Sequence, residues 1–190
     1  VSQQKNLMAI EHGNPKMHRD VARALRCVVA SERNRYAMQY LEVTESTIAA
    51  TDGKRLLSLD CGMKTPPGLY HVTQDGWMLN SQETLPYPKW RDIILKPSQK
   101  KIVYRCPDME DLGTLLWAIN RESDAAVMLD LWLPVMQALQ RLHPTRVTLV
   151  VSRKDGHDGA VQIQGQLGIG TNVKFTYLQT PLDTSGMRKE

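Results

Sequence analysis

The sequence predicts an α+β fold: two helix-strand-strand-strand halves, with the helices on one face of an antiparallel sheet. Three observations carry this. Apolar residues recur with helical period at Val21, Ala24, Leu25, Val28 and Val29, which marks a helix with one buried side. Strict alternation sets Val161 and Ile163 against Gln162 and Gln164, and Val173, Phe175 and Tyr177 against Lys174 and Thr176, which marks strands with one wet face. The order of elements that begins near Pro15 then returns after Ala126.

Length and composition agree with one domain or two small ones. The chain has 190 residues, 42% of them hydrophobic, enough for a real core. No apolar run approaches the length of a membrane span and no signal-peptide pattern is visible, so a cytoplasmic protein without a membrane partner is expected. Cys27, Cys61 and Cys106 are the three cysteines. They lie far apart without a Cys-x-x-Cys spacing, which points to reduced thiols rather than disulfides or zinc. The net charge of +4 permits a nucleic-acid partner without requiring one.

Taken in order, residues 1–14 read as a flexible N-terminal arm ending in Asn14-Pro15, an N-cap candidate followed by proline at the first helical position. A helix is predicted from Pro15 to Ser31. Opposite its apolar side, Arg19, Arg23 and Arg26 stack at i, i+4 and i+7, with Lys16 and Arg33 extending the charge at either end. Such a row is either a solvated face or a phosphate-contacting one; no acidic residue at i+4 neutralises it.

Strands are predicted over Arg35 to Val43 and Thr47 to Asp60, the second folded back at Asp52-Gly53, a dipeptide that tolerates positive φ. A small hairpin, Leu69 to Thr73 and Gly76 to Asn80, turns at Gln74-Asp75-Gly76. Ser81 to Ser98, punctuated by Pro86, Pro88 and Pro97, is a loop pinned by Tyr87 and Trp90 or the wall of an exposed peptide groove. Next come a strand at Lys101 to Arg105 and a helix from Pro107 to Asn120. The second half reads as a strand at Val127 to Leu131, a helix at Pro134 to Leu142, and strands at Arg146 to Ser152, Ala160 to Gly165 and Asn172 to Thr180. One domain is therefore expected over 15–182, with halves at 15–61 and 126–182, an insert at 62–125 and a tail at 183–190.

Two segments carry a family resemblance. Ile48-Ala-Ala-Thr-Asp-Gly-Lys-Arg-Leu56 resembles a segment in the middle domain of bacterial DNA polymerase III sliding clamps, the beta-subunit family. Tyr87-Pro-Lys-Trp-Arg-Asp-Ile-Ile94 is similar to the aromatic-Pro-x-aromatic-Arg stretch that ends the same domain. The resemblance implies a DNA-clamp-like fold, with Lys16, Arg19, Arg23, Arg26 and Arg33 turned toward duplex DNA without base specificity. It also implies a groove for short peptide motifs of replication or repair proteins, formed by Thr51, Gly53, Lys54, Arg55, Leu56, Pro88, Ile93, Leu178 and Pro181. The same residues can equally be a packed hairpin corner. A family member carries three domains and pairs into a ring, so this shorter chain implies either a homo-oligomer or a protein-interaction adaptor without DNA binding.

No catalytic constellation is expected, and no metal or cofactor. His12, His18, His71, His143 and His157 never fall at i, i+4 around a carboxylate. Asp155, His157 and Asp158 share a glycine-rich turn better read as a solvated hairpin. Gly165-Gln-Leu-Gly-Ile-Gly170 leads to a strand rather than to a helix N-terminus, so it lacks the free amides of a phosphate loop. A hydrolase would need Cys61, Asp60 and His71 gathered in one cleft.

Overall fold

The computed structural model describes residues 8–11, 14–32, 36–62, 65–96, 100–108, 112–122, 127–154, 157–168 and 173–180. It has an α+β architecture built on one large antiparallel sheet. A two-stranded hairpin, β1 (Met8–Glu11) and β2 (Asn14–Met17), precedes helix α1 (Arg19–Arg26). Strands β3 (Leu41–Val43), β4 (Thr47–Thr51), β5 (Arg55–Asp60), β6 (Gly68–Val72) and β7 (Met78–Asn80) follow, then a 3₁₀ turn at Trp90–Ile93. Strand β8 (Lys100–Asp108), helices α2 (Leu112–Glu122) and α3 (Leu129–Gln140), and strands β9 (Thr145–Lys154), β10 (His157–Gln166) and β11 (Lys174–Gln179) complete the described chain.

Strand order across the nine-stranded sheet is β7-β6-β3-β4-β5-β11-β10-β9-β8. The runs β3-β4-β5 and β9-β10-β11 meet back to back: β5 pairs with β11 from Arg55 opposite Gln179 to Asp60 opposite Lys174. Each run follows a helix, and α1 packs against α3. The predicted insert is split around the sheet, with β6 and β7 beyond β3 at one edge and β8 beyond β9 at the other.

Period-two alternation decides what each face carries. Ile48, Ala50, Leu57, Leu59, Tyr177, Phe175, Ile163 and Val161 point to the helices, where they join Val21, Leu25, Leu115, Trp132, Val135 and Leu139 in the main core. Ala49, Leu56 and Leu178 point the other way and form a second, small core with Trp90. That second core exists because the segment Ser81 to Lys96 crosses the helix-free face as a strap.

Several predicted boundaries moved. The first helix begins at Arg19 rather than Pro15: Asn14–Met17 is β2, with Met17 N donating to Gly76 O at 2.9 Å. Asn14, just before Pro15, is held away from helical geometry, and His18 becomes the N-cap, its Nδ1 accepting from Asp20 N at 3.3 Å. Part of the expected arm, Met8–Glu11, is therefore a strand. Among the described residues of the strand predicted over Arg35 to Val43, only Leu41–Val43 is in the sheet. The apolar run Val127 to Leu131 enters α3 instead of forming a strand, and α3 carries Pro134 inside it. Pro107 lies in edge strand β8 rather than starting a helix, a place where a missing N–H is tolerated. Residues 181–190 lie outside the described residues.

Candidate nucleic-acid interface and the Asp52-Gly53 corner

Helix α1 buries Val21, Ala22, Ala24 and Leu25, so the residues between them must face out. Arg19, Arg23 and Arg26 are accordingly exposed. Together with Asp20, Gln74 from the β6-β7 turn, and Arg141 at the C-cap of α3, they line a cleft of about 600 Å³. Asp20 is turned toward His18, 3.9 Å away. Among the described residues none of the four arginines has a carboxylate partner.

Lys16 does not extend this row as a free cation, because its ammonium sits 4.5 Å from the centre of the Trp77 ring. That contact helps tie β2 to β7, and Lys16 bridges Trp77 through the backbone as well. Arg33 lies outside the described residues. Arg141 and Gln74 were not legible as members of the same surface. Arg141 is the one charged residue on its helix face, but only the packing of α3 on α1 brings it to the row.

At the β4-β5 corner, Gly53 has φ of +87°, the left-handed conformation that its lack of a side chain allows. Asp52 organises the turn: Oδ1 accepts from Lys54 N at 2.9 Å and Arg55 N at 2.8 Å, while Oδ2 accepts from Arg55 Nε at 2.9 Å and Nη2 at 2.7 Å. Thr51 Oγ1 closes the other side by donating to Arg55 O at 2.6 Å. The free end of the guanidinium, Arg55 Nη1, donates to Leu131 O in the first turn of α3 at 2.7 Å. Arg55 is only 8% exposed, so it is a strut between the corner and α3.

Beside this strut lies a buried polar chain. Tyr177 OH donates to Gln179 Oε1 at 3.0 Å, and Gln179 Nε2 donates to Met128 O at 3.4 Å. Burial pushes the Tyr177 phenol well above its ordinary range. The α3 N-terminus, which has no side-chain cap of its own, is thus fastened to both central strands by their polar residues.

The residues expected to form a peptide groove divide into two sets. Thr51, Arg55, Leu56 and Leu178 are buried, the two leucines beneath the strap. Gly53, Lys54 and Ile93 are exposed and Pro88 is half-buried, so these four are the accessible part. Pro181 lies outside the described residues.

The strap itself is held largely by side chains. Tyr87 OH donates to Ala49 O at 3.1 Å, Trp90 Nε1 to Glu42 Oε2 at 2.6 Å, and Leu95 N to Gln162 Oε1 at 3.2 Å. Arg91 lies over the Trp90 ring, 4.3 Å from its centre, and reaches Glu42 at 3.6 Å. Pro86 and Pro88 offer no N–H, so the segment cannot join a ladder there. Its aromatic residues anchor it instead.

No protein-family model matches this chain, and no curated protein does. The functional reading therefore stands on geometry. Cys61 has its thiol pushed up to about 11, by burial and then by the nearby Asp60 charge, so it holds its proton at neutral pH. Its Sγ lies 3.9 Å from Leu59 O. Of the suspected metal loop, Asp155 lies outside the described residues, as do the side chains of His157 and Asp158.

Proposed function

We propose that this is a non-enzymatic, sliding-clamp-like protein that binds duplex DNA through Arg19, Arg23 and Arg26, joined by Arg141, and docks replication or repair proteins beside the Asp52-Gly53 corner. One observation carries the DNA half: four exposed guanidiniums line a single cleft without a carboxylate partner among the described residues. Guanidiniums without a carboxylate partner among the described residues are suited to phosphate oxygens, which they grip as a planar fork. The mirrored strand order and the paired helices support the clamp-like reading.

Contacts to phosphates position a duplex but do not read its bases, so binding of this kind is insensitive to sequence and weakens with salt. Topological retention on a duplex would require closure into a ring. Among the described residues no helix is long and apolar enough to cross a membrane, and the site of action fitting a replication partner is the cytoplasm. Anisotropy of a fluorescent duplex with the wild type and with Arg19→Ala/Arg23→Ala/Arg26→Ala is the test. At least tenfold weaker binding by the variant is expected; equal binding would remove the DNA half.

A second reading, an adaptor that recruits replication proteins without touching DNA, is favoured by one feature. Ile93 is 48% exposed next to the half-buried Pro88, an apolar knob at the accessible end of the strap. On this reading Ile93→Asp abolishes peptide capture and the arginine variant behaves as wild type.

A further inference from the structure

Beyond the strap, the helix-free face of β9, β10 and β11 changes character. Its residues are Gln164, Gln166, Thr176 and Lys174, paired as Gln164 opposite Thr176 and Gln166 opposite Lys174. Together with Arg146, Gly165 and Phe175 they line a groove of about 280 Å³. Most of its lining side chains belong to the helix-free face, and it shares no lining residue with the arginine cleft.

The backbone here is irregular. Arg146 has φ of +53°, left-handed geometry that a branched-from-Cβ or long side chain adopts only at a cost. The register between β9 and β10 shifts at this point, between Gln164 and Gln166. A bulge of this kind re-aims the side chain beside it, and the side chain in question is an exposed arginine on the groove wall. Gly165 is enforced too: a Cβ there would lie 2.8 Å from the Phe175 ring and 3.0 Å from Thr145 O.

Charge and donors then define the occupant. Among the described residues Arg146 and Lys174 have no carboxylate partner. Asp60 stands opposite Lys174 in register and on the same face, but makes no salt bridge with it. An arginine fork, an ammonium, the Gln166 amide and the Thr176 hydroxyl are a donor-rich set for an acceptor-rich anion. The volume is at the small end for organic ligands, which typically need about 300–1,000 Å³. We propose that this groove binds a phosphate group, free or on a small molecule, with Arg146 and Lys174 as its cationic clamps.

Backbone amide shifts of the isotope-labelled full chain, titrated with inorganic phosphate and with adenosine monophosphate against chloride at matched ionic strength, test this. The Gly165 amide is expected to shift at millimolar phosphate in the wild type and in Arg19→Ala/Arg23→Ala. Arg146→Gly and Lys174→Gln are expected to weaken the response at least tenfold. Arg146→Gly should also raise the melting temperature, because glycine relieves the left-handed backbone, so its loss of binding cannot come from unfolding. Tighter binding of the monophosphate assigns an ester ligand and equal binding assigns phosphate itself. A Gly165 amide unmoved by phosphate, or moved equally in both groove variants, overturns the proposal.

Discussion

Arg55 shows how little a residue type reveals about its role until its neighbours are known. Its guanidinium is spent within the molecule, on Asp52 and on Leu131 O. Removing one member of a buried ion pair leaves the other uncompensated, at a cost of about 3–5 kcal/mol. Arg55→Ala is therefore expected to lower unfolding free energy by about 3 kcal/mol in denaturant titration, whatever it does to partner binding. Gly76 is a second such position. Its φ is +88° and an added Cβ would fall 2.3 Å from Met17 O, so Gly76→Ala must push β2 off the β6-β7 turn. A loss of about 2 kcal/mol is expected, measured in the same titration.

Burial of ionisable residues also sets the alkaline limit of stability. The Cys61 thiol is raised from 9.0 to about 11, and Tyr87 and Tyr177 are raised by burial. For each, the unfolded chain releases the proton first, so the stabilisation is complete below the unfolded value and is lost as pH rises through the folded one. Stability should begin to fall above pH 9, and more steeply once the unfolded tyrosines ionise at about 10. Thermal melts from pH 8 to 11 check this: Cys61→Ala should flatten the first part of the decline and leave the second.

At the level of elements, what could be read from the chain was what local chemistry determines. The Asp52-Gly53 corner needed only a positive φ and a carboxylate able to accept from the next two amides. Strands β9 to β11 showed their alternation because polar residues such as Gln164 and Thr176 occupy their helix-free face, although that face is not the wet one expected: the strap buries Gln162 and Leu178 there. The start of α1 was hidden, since Pro15 suits a first helical turn and an extended strand alike, and only the contact of Met17 with Gly76 decides between them. The short apolar run before Trp132 was equally ambiguous: a fully buried strand and a buried first helical turn have the same composition. For the strap, the pinned-loop reading describes the segment itself. Trp90 pins it and Ile93 projects from it. Trp90→Ala removes the centre of the small core and should cost about 3–5 kcal/mol, whereas Ile93→Ala should stay within about 0.5 kcal/mol.

For the molecule as a whole, the two faces of the sheet divide the labour proposed here. The helix side presents arginines and the strap side presents Ile93 and the cationic groove. The arginine row was legible because i, i+4, i+7 spacing on an amphipathic helix fixes which side faces out. Its completion by Arg141 was not, because that depends on the crossing of α1 and α3, which no local pattern encodes. The central claim is that these arginines meet phosphates, and the slope of log K against log salt tests it most directly. With about 0.9 per phosphate contacted, four contacts give a slope of about −3.6 for a duplex of any sequence, falling to about −0.9 in Arg19→Ala/Arg23→Ala/Arg26→Ala. A wild-type affinity that does not change with salt, or a slope that the three substitutions leave intact, would contradict the account.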